Sequence, residues 1–304
     1  MNSLREPILY RYSQFSVDRN IDKHTIVHCL TSEYEGKEAY VVDYKNEKVT
    51  FYYTRNEWES NYFAINSVTL YYVDFIPGQI QSVKQAIESF IEHLSVLYAK
   101  SFIVTAELPA EDTELIQALN HLKFRCIETR LHFFHNTLDS FDEPRYPVRK
   151  AVANDIGNLK RVASAMRNDY DRFHADWSFD KKKADEYLEV YIENSVHGFA
   201  DLVITPNQPG VPSDSFLTAN ICRESWEALN YPVSKMVLSA VSSQTNKGWY
   251  IKLITEMTYL LKEAGARSVF MNTQATNTAV LVTWQKLGYK IGRTTHILSF
   301  NSND

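Results

Sequence analysis

The sequence predicts an α/β (α+β) fold in two halves, and three observations carry that reading. Short apolar runs of strand length alternate with segments whose apolar residues recur at helical spacing. The succession of strand, helix, strand and helix occurs once before residue 136 and again after residue 236. Between the two lies NTLDSFDEPRYP, residues 136 to 147, a polar stretch with two prolines that reads as a linker. The expected domains are therefore residues 1–140 and 147–304.

Composition narrows the function classes. The chain has 304 residues, enough for two domains of ordinary size, and 32 basic against 37 acidic side chains give a net charge of −5. With no basic run, nucleic acid is not an expected partner. No apolar stretch reaches the length of a membrane span, and MNSLREPILYRYSQ lacks the apolar core of a signal peptide, so a cytoplasmic protein is expected. The three cysteines, Cys29, Cys126 and Cys222, are isolated and fit neither a disulfide framework nor a metal cluster. The 19 Tyr and 16 Phe suggest large cores and a stacking surface for a ring-bearing substrate.

In the first half, Thr25–Leu30, Ala39–Tyr44 and Lys48–Tyr53 read as antiparallel strands separated by turns at Glu35-Gly36 and Asn46-Glu47. Glu57 to Asn66, rich in aromatics, precedes a strand at Val68–Phe75. An amphipathic helix over Gln79–Ala99 carries Val83, Ile87, Phe90, Ile91, Leu94 and Leu97 on one face. A buried strand follows at Phe102–Ala106, then a Pro109-led helix over Ala110–Leu122 and a strand over Phe124–Phe134.

The second half opens with a strand at Val148–Ala151 and a helix over Asn154–Met166. Arg167–Phe179, RNDYDRFHADWSF, is a loop dense in ionisable and aromatic side chains. A helix over Asp180–Val196 and strands over Ala200–Thr205 and Phe216–Arg223 follow. The strand Met236–Val241 stops at the polar loop Ser242–Gly248, and a helix with Tyr250, Leu253, Ile254, Met257, Leu260, Leu261 and Ala264 at the 3.6 period runs to Gly265, suited to an αL cap. A loop that runs straight into a helix leaves N–H groups without intrahelical partners at the positive end of the helix dipole, a place for an anion such as a diphosphate.

This loop resembles, in degenerate form, the nucleotide loop of the GNAT acyltransferases: Thr245 stands at the Arg/Gln position, Gly248 at the first Gly and Tyr250 at the second. Thr273-Gln274, Asn277-Thr278-Ala279 and Leu287-Gly288-Tyr289 stand in the order of that family's next strand and helix. The resemblance implies a GNAT acyl-CoA N-acyltransferase fold in the C-terminal half. Lys100-Ser101-Phe102 matches Arg267-Ser268-Val269 and Leu122-Lys123-Phe124 matches Leu287-Gly288-Tyr289, so the N-terminal half is expected to be a degenerate GNAT-like copy that binds no coenzyme.

Glu57 to Asn66, Arg172-Phe173 with Asp176, Tyr191 to Gly198, Thr273 to Ala279 and Thr294-Thr295-His296 are similar to segments of the TDP-fucosamine N-acetyltransferases. That resemblance implies transfer of acetyl from acetyl-CoA to the amine of a nucleotide-linked amino sugar. Another small amine as acceptor, or a non-catalytic acyl-CoA-binding protein, stays open, as does a homodimer. In such a fold Leu238, Ser239, Ala240 and Val241 form the strand edge that meets the pantetheine amides, and a backbone N–H of that strand polarises the thioester carbonyl. Thr245, Asn246, Lys247, Gly248, Trp249 and Tyr250 meet the diphosphate, and Asn277 opens the next helix.

The amine needs a base, for which His174 and Asp176 are the candidates. The bland alternatives are an exposed loop histidine and a cap for the next helix. Related enzymes protonate the leaving thiolate with a tyrosine seven residues after that Asn, where this chain has Trp284. Indole donates a hydrogen bond but is no general acid. Tyr250 and Tyr289 are substitutes, and packing is the alternative for all three.

Overall fold

The computed structural model describes Arg5 and residues 23–34, 36–99 and 101–304. Among them the chain forms eleven strands and ten α-helices. In chain order these begin with α1 (Lys23–Tyr34), β1 (Glu38–Tyr44), β2 (Glu47–Arg55), α2 (Glu57–Phe63), β3 (Asn66–Asp74), α3 (Ile80–Leu97), β4 (Phe102–Pro109), α4 (Thr113–His121) and β5 (Arg125–His135). There follow β6 (Val148–Lys150), α5 (Ile156–Ala165), α6 (Arg172–Ala175), α7 (Lys181–Asn194), β7 (Leu202–Pro206) and β8 (Ser215–Ile221). The chain closes with α8 (Arg223–Leu229), β9 (Val233–Val241), α9 (Trp249–Glu263), β10 (Ser268–Gln274), α10 (Thr278–Lys286) and β11 (Lys290–Asn301).

Contacts divide the chain into two units. Unit 1 is Met1–Arg130, Tyr170–Ser178 and Arg293–Asp304; unit 2 is Leu131–Asp169 and Phe179–Gly292. The stretch 136–147, read as a linker, falls inside unit 2. There Leu138 and Phe141 are buried, and the Tyr259 hydroxyl of α9 accepts from Glu143 N and donates to Glu143 O, both at 2.7 Å.

In unit 1, β1 and β2 form a hairpin whose turn residues Lys45 and Asn46 both have positive φ, 52° and 65°, the mirror-image turn that suits strand twist. β2 pairs antiparallel with β3, and β3 pairs parallel with β4 across the α3 crossover. β4 then pairs antiparallel with the C-terminal strand, from Thr295↔Pro109 to Asn301↔Ile103. The core lies under α3, where the Phe90 ring stacks on Phe51 at 4.5 Å beside Leu94, Phe102 and Leu298.

In unit 2, β6, β7, β8 and β9 make an antiparallel meander and β9 pairs parallel with β10. Strand alternation divides the side chains between two cores. Val203, Phe216 and Ala240 meet Leu159, Val162 and Ile192 of α5 and α7 on one face. Ile204, Leu217 and Met236 meet Leu253, Met257 and Trp284 of α9 and α10 on the other. Both units thus hold the succession strand, helix, parallel strand, helix: β3 to α4 in unit 1, β9 to α10 in unit 2.

Three expectations are corrected. Thr25–Leu30 is not a strand but part of α1, and the reason is visible in its buried set, Ile26, Cys29, Leu30 and Tyr34, which recur at helical spacing. Pro109 does not lead a helix: it closes β4 opposite Thr295, and α4 begins after Asp112. The strand expected over Phe216–Arg223 ends at Ile221, because Arg223 opens α8, which an αL Asn230 at φ 49° terminates. Glu35 and Lys100, used in the turn and repeat expectations, lie outside the described residues.

At the end of β5, His135 is buried against Phe141 and Tyr289. Burial first, and the Lys290 cation second, push its imidazole pKa down to about 4. Unfolded histidine titrates near 6.5, so between the two values the unfolded chain binds more protons. The resulting contribution is complete above about pH 6.5 and is lost as pH falls through 4. The gap in Tm between the native chain and His135→Asn should therefore narrow on acidification over that window; a gap independent of pH would contradict the assignment.

Candidate functional site

Unit 2 contains a defect in its sheet. The parallel ladder of β9 with β10 consists of three pairs, Val233↔Ser268, Ser234↔Val269 and Lys235↔Phe270, and then stops although both strands continue. At the same level the register between β8 and β9 shifts, Leu217 facing Ser239 and Ala219 facing Met236, so two residues of β9, Val237 and Leu238, oppose Thr218 alone. Such a bulge bends its strand and leaves backbone groups to be satisfied otherwise. The Thr218 hydroxyl does so, accepting from Leu238 N at 2.9 Å and donating to Leu238 O at 3.2 Å.

Beyond the bulge, Ser242 N donates to Asp214 O across from β8. Because backbone groups of an antiparallel strand alternate in direction, Ser239 and Val241 present their N–H and C=O to the other side, where the β10 ladder has ended. Val237, within the bulge, is 37% exposed.

The loop after β9 is braced from below by its own side chains. Asn246 is buried and donates through Nδ2 to Pro212 O at 3.0 Å and Ser215 Oγ at 2.8 Å, while its backbone carbonyl accepts from Trp249 N at 3.0 Å. Thr245 donates through its hydroxyl to the Asp214 carboxylate and approaches Ser242 Oγ at 2.9 Å. Gly248 then takes the left-handed conformation, φ 86° and ψ −3°, at the N-terminus of the 15-residue α9. The backbone N–H groups of Lys247 and Gly248 have no acceptor among the described residues. They form the start of a nest at the positive end of α9.

Two features oppose an anion there. Thr245, at the position expected to face a phosphate, is turned into the brace. Asp214 places a buried carboxylate beneath the loop, its Oδ1 without a hydrogen-bond partner among the described residues. Lys247, exposed, is the loop's cation.

The far wall comes from α9 and α10. Trp284 is buried edge-on against Phe133 at 5.2 Å and donates from Nε1 to the Tyr250 hydroxyl at 2.9 Å. Burial raises the Tyr250 pKa well above its ordinary value, while the Trp284 N–H and the nearby Ser239 hydroxyl act in the opposite sense by favouring the phenolate. One protonated phenol thus meets β9 and α10. Asn277 stands at the cap of α10, its Nδ2 donating to Thr273 Oγ1 at 3.1 Å and its carbonyl accepting from Val280 and Leu281. Tyr289 is buried, its hydroxyl bonded to the Thr258 hydroxyl at 2.7 Å.

His174 and Asp176 belong to unit 1. Asp171 caps α6, accepting from Phe173 N at 2.9 Å and His174 N at 3.1 Å, and its other oxygen meets His174 Nδ1 at 2.7 Å. His174 is buried rather than an exposed loop residue. Asp176 is committed on both oxygens: Oδ1 accepts from Ser178 N at 2.9 Å and from Arg125, and Oδ2 from Ser299. The cap of the next helix, α7, is Asp180. Glu57–Asn66 and Arg172–Asp176, far apart in sequence, meet in unit 1, where Glu59 pairs with Arg172 and the Phe63 ring lies on Phe173 at 5.2 Å.

Sequence reasoning missed Thr218, an ordinary residue of β8, and Asp214, just before that strand, neither of which carries a spacing signal. It also missed the meeting of Tyr250 with Trp284, which only tertiary packing creates. Of the coenzyme-side residues expected from sequence, Ser239, Val241, Gly248, Tyr250 and Trp284 gather around one gap in unit 2. Thr245 and Asn246 serve its scaffold.

No family model matches the chain, and no curated protein matches its sequence. Solved structures do resemble it. A GCN5-related N-acetyltransferase from Sphaerobacter thermophilus superposes with a TM-score of 0.56 at 12% identity, over 90% of this chain and 84% of that one. One from Kribbella flavida gives 0.52 at 12% identity, over 97% and 96%. The fold is that of the GCN5-related N-acetyltransferases. A glucosamine N-acetyltransferase region within a fungal multi-domain β-N-acetylglucosaminidase shares the GNAT fold with this chain at a TM-score of 0.53 and 13% identity, over 84% of this chain and 31% of that one. At these identities the likeness establishes the architecture alone.

In this GNAT fold the Tyr250–Trp284 bond spans two helices and should be measurable as a coupling. Tyr250→Phe leaves a buried indole N–H without its acceptor, expected to destabilise by about 1–3 kcal/mol, and Trp284→Phe adds less in that background than in the native chain. Strict additivity in chemical denaturation would contradict the bond.

Proposed function

We propose that unit 2 binds an acyl-coenzyme A and transfers its acyl group to a primary amine. The observation that carries the reading is the early end of the β9–β10 ladder, which leaves Ser239 and Val241 open beside the Gly248-led N-terminus of α9. An extended chain of alternating amides can pair with such an edge as an added strand, and a diphosphate suits the free N–H groups at the helix start. Pantetheine joined to a nucleotide diphosphate has both parts. Acetyl-CoA is the proposed donor, and a nucleotide-linked amino sugar is the leading acceptor. The amino-sugar reading rests on the sequence resemblance alone, which spans about residue 57 to the C-terminus and is strongest from 172 to 298.

The reaction joins the amine nitrogen to the thioester carbonyl carbon and breaks the carbon–sulfur bond, with the ammonium proton lost first and a proton returned to the thiolate. His174 and Asp176, the sequence's candidates for the base, belong to unit 1, where Asp171 orients His174 and Asp176 has both oxygens engaged. Tyr250 is the candidate proton donor in place of the tyrosine absent at Trp284, and the Trp284 N–H stabilises the phenolate left behind. Leu238 N–H is taken by Thr218, so the oxyanion donor is sought at Ser239 instead. A cytoplasmic location is part of the proposal; among the described residues no helix is long and apolar enough to cross a membrane.

A second reading, coenzyme binding without turnover, is favoured by Trp284, whose indole stands where related enzymes keep an acid tyrosine and cannot act as a general acid. Calorimetry with acetyl-CoA and thiol release across a panel of amines separate the two. The native chain is expected to bind and to release thiol with an amino-sugar acceptor, and Gly248→Asp to lose binding through backbone strain and like charge. His174→Ala should lower turnover by about 10²–10⁴ with coenzyme affinity unchanged. Binding without thiol release on any amine supports the second reading; failure to bind removes both.

A further inference from the structure

Unit 1 repeats the geometry of the gap in unit 2 and fills it with its own side chains. Its parallel ladder of β3 with β4 runs from Asn66↔Phe102 to Leu70↔Ala106 and stops, while β3 continues to Asp74 and β4 to Pro109. The loop after β3 holds a left-handed glycine, Gly78 at φ 90°, two residues before α3, as Gly248 at φ 86° precedes α9. There the resemblance ends. Gly78 N–H donates to both oxygens of Glu114 on α4, at 2.9 and 3.1 Å, so an internal carboxylate takes the place an anion would need.

The strand side is closed by Arg5. Its Nε donates to Val73 O at 2.8 Å, beyond the last β3–β4 pair, and its backbone N to the Tyr72 hydroxyl at 2.9 Å. Its two terminal nitrogens donate in parallel to Asp112 Oδ1 and Oδ2 at 2.7 and 2.8 Å. The guanidinium carbon lies 4.1 Å from the centre of the Phe75 ring. Both partners are buried, Arg5 at 7% and Asp112 at 3% exposure. Asp112 occupies the cap position of α4 yet makes no side-chain bond to that helix. A carboxylate that forgoes capping, and is shielded from water, is arranged for a planar fork of donors; an ammonium would satisfy one oxygen geometry and leave Val73 O unmet.

We propose that Asp112, Val73, Tyr72 and Phe75 form a guanidinium-binding socket where β3 and β4 part, that Arg5 is its resident ligand, and that this plug together with Glu114 is what makes unit 1 a closed counterpart of the unit 2 cleft. The inference is independent of what unit 2 binds or catalyses. It predicts that the socket recognises the guanidinium group itself, apart from the chain that carries it.

The test is chemical rescue of the full chain. Arg5→Ala strands a buried carboxylate and should lower Tm on the order of 10 °C. Propylguanidinium, the side chain without its backbone, at about 10 mM should restore at least half of that loss by binding the native state, well below denaturing concentration. Propylammonium should restore none, and propylguanidinium should have no effect on the native chain or on Arg5→Ala combined with Asp112→Asn. Should Arg5→Ala not fold alone, refolding in propylguanidinium but not propylammonium gives the same answer. Arg5→Lys keeps the charge and stem without the fork, and should stay well below the native Tm. A native Tm in either Arg5 variant, equal rescue by propylammonium, or rescue that survives Asp112→Asn would overturn the proposal.

Discussion

The candidate site depends on two strands that part. A parallel ladder inside a sheet normally runs as far as both strands allow, because every backbone N–H and C=O left behind needs another partner. In unit 2 the β9–β10 ladder ends at Lys235↔Phe270, and the surrounding structure compensates on one side only. The Thr218 hydroxyl serves both backbone groups of Leu238 in the bulge. Among the described residues Ser239 and Val241 have no such side-chain partner for their backbone groups. The two cores, one under α5 and α7 and one under α9 and α10, hold β8 and β9 in place on both faces and prevent the sheet from closing by a slip of register.

The loop and the helices are organised around that gap. Asn246 and Thr245 spend their side chains on Pro212, Ser215 and Asp214, which fixes the loop so that Gly248 can start α9 in a conformation other residues resist. Tyr250, two residues on, reaches across to Trp284 and lies near Ser239, so both walls of the gap share one hydroxyl. Unit 1 offers the contrast within one chain. It has the same succession of elements and the same early end of a parallel ladder, but Arg5, Asp112 and Glu114 meet the groups that unit 2 leaves open.

Much of this was legible in the sequence where period and punctuation coincide. The helix over 80–97 and the run from β9 through α10 follow from apolar spacing and from Gly248 and Gly265, the latter at φ 97° closing α9 as expected. Thr25–Leu30 misled because its β-branched residues suggest a strand, while Cys29 and Tyr34 complete a helical face only visible in burial. Pro109 misled because proline suits a helix start as well as a strand end. At the site, Gly248 was readable because a positive φ demands it. Thr218 and Asp214 were not, since a hydroxyl in a strand, or a carboxylate just before one, gains its role from what packs opposite. Asp176 looked chemical by residue type, yet both its oxygens are engaged within unit 1.

The central claim, that the open edge of β9 and the start of α9 receive an acyl-coenzyme A, is tested most directly by amide hydrogen exchange with and without acetyl-CoA. If the edge is paired by the ligand's amides and the nest by its diphosphate, exchange should slow at Ser239, Val241, Lys247 and Gly248 and stay unchanged at Leu238, whose N–H is already held by Thr218. Unchanged exchange at those four amides, under conditions where acetyl-CoA is bound, would contradict the account.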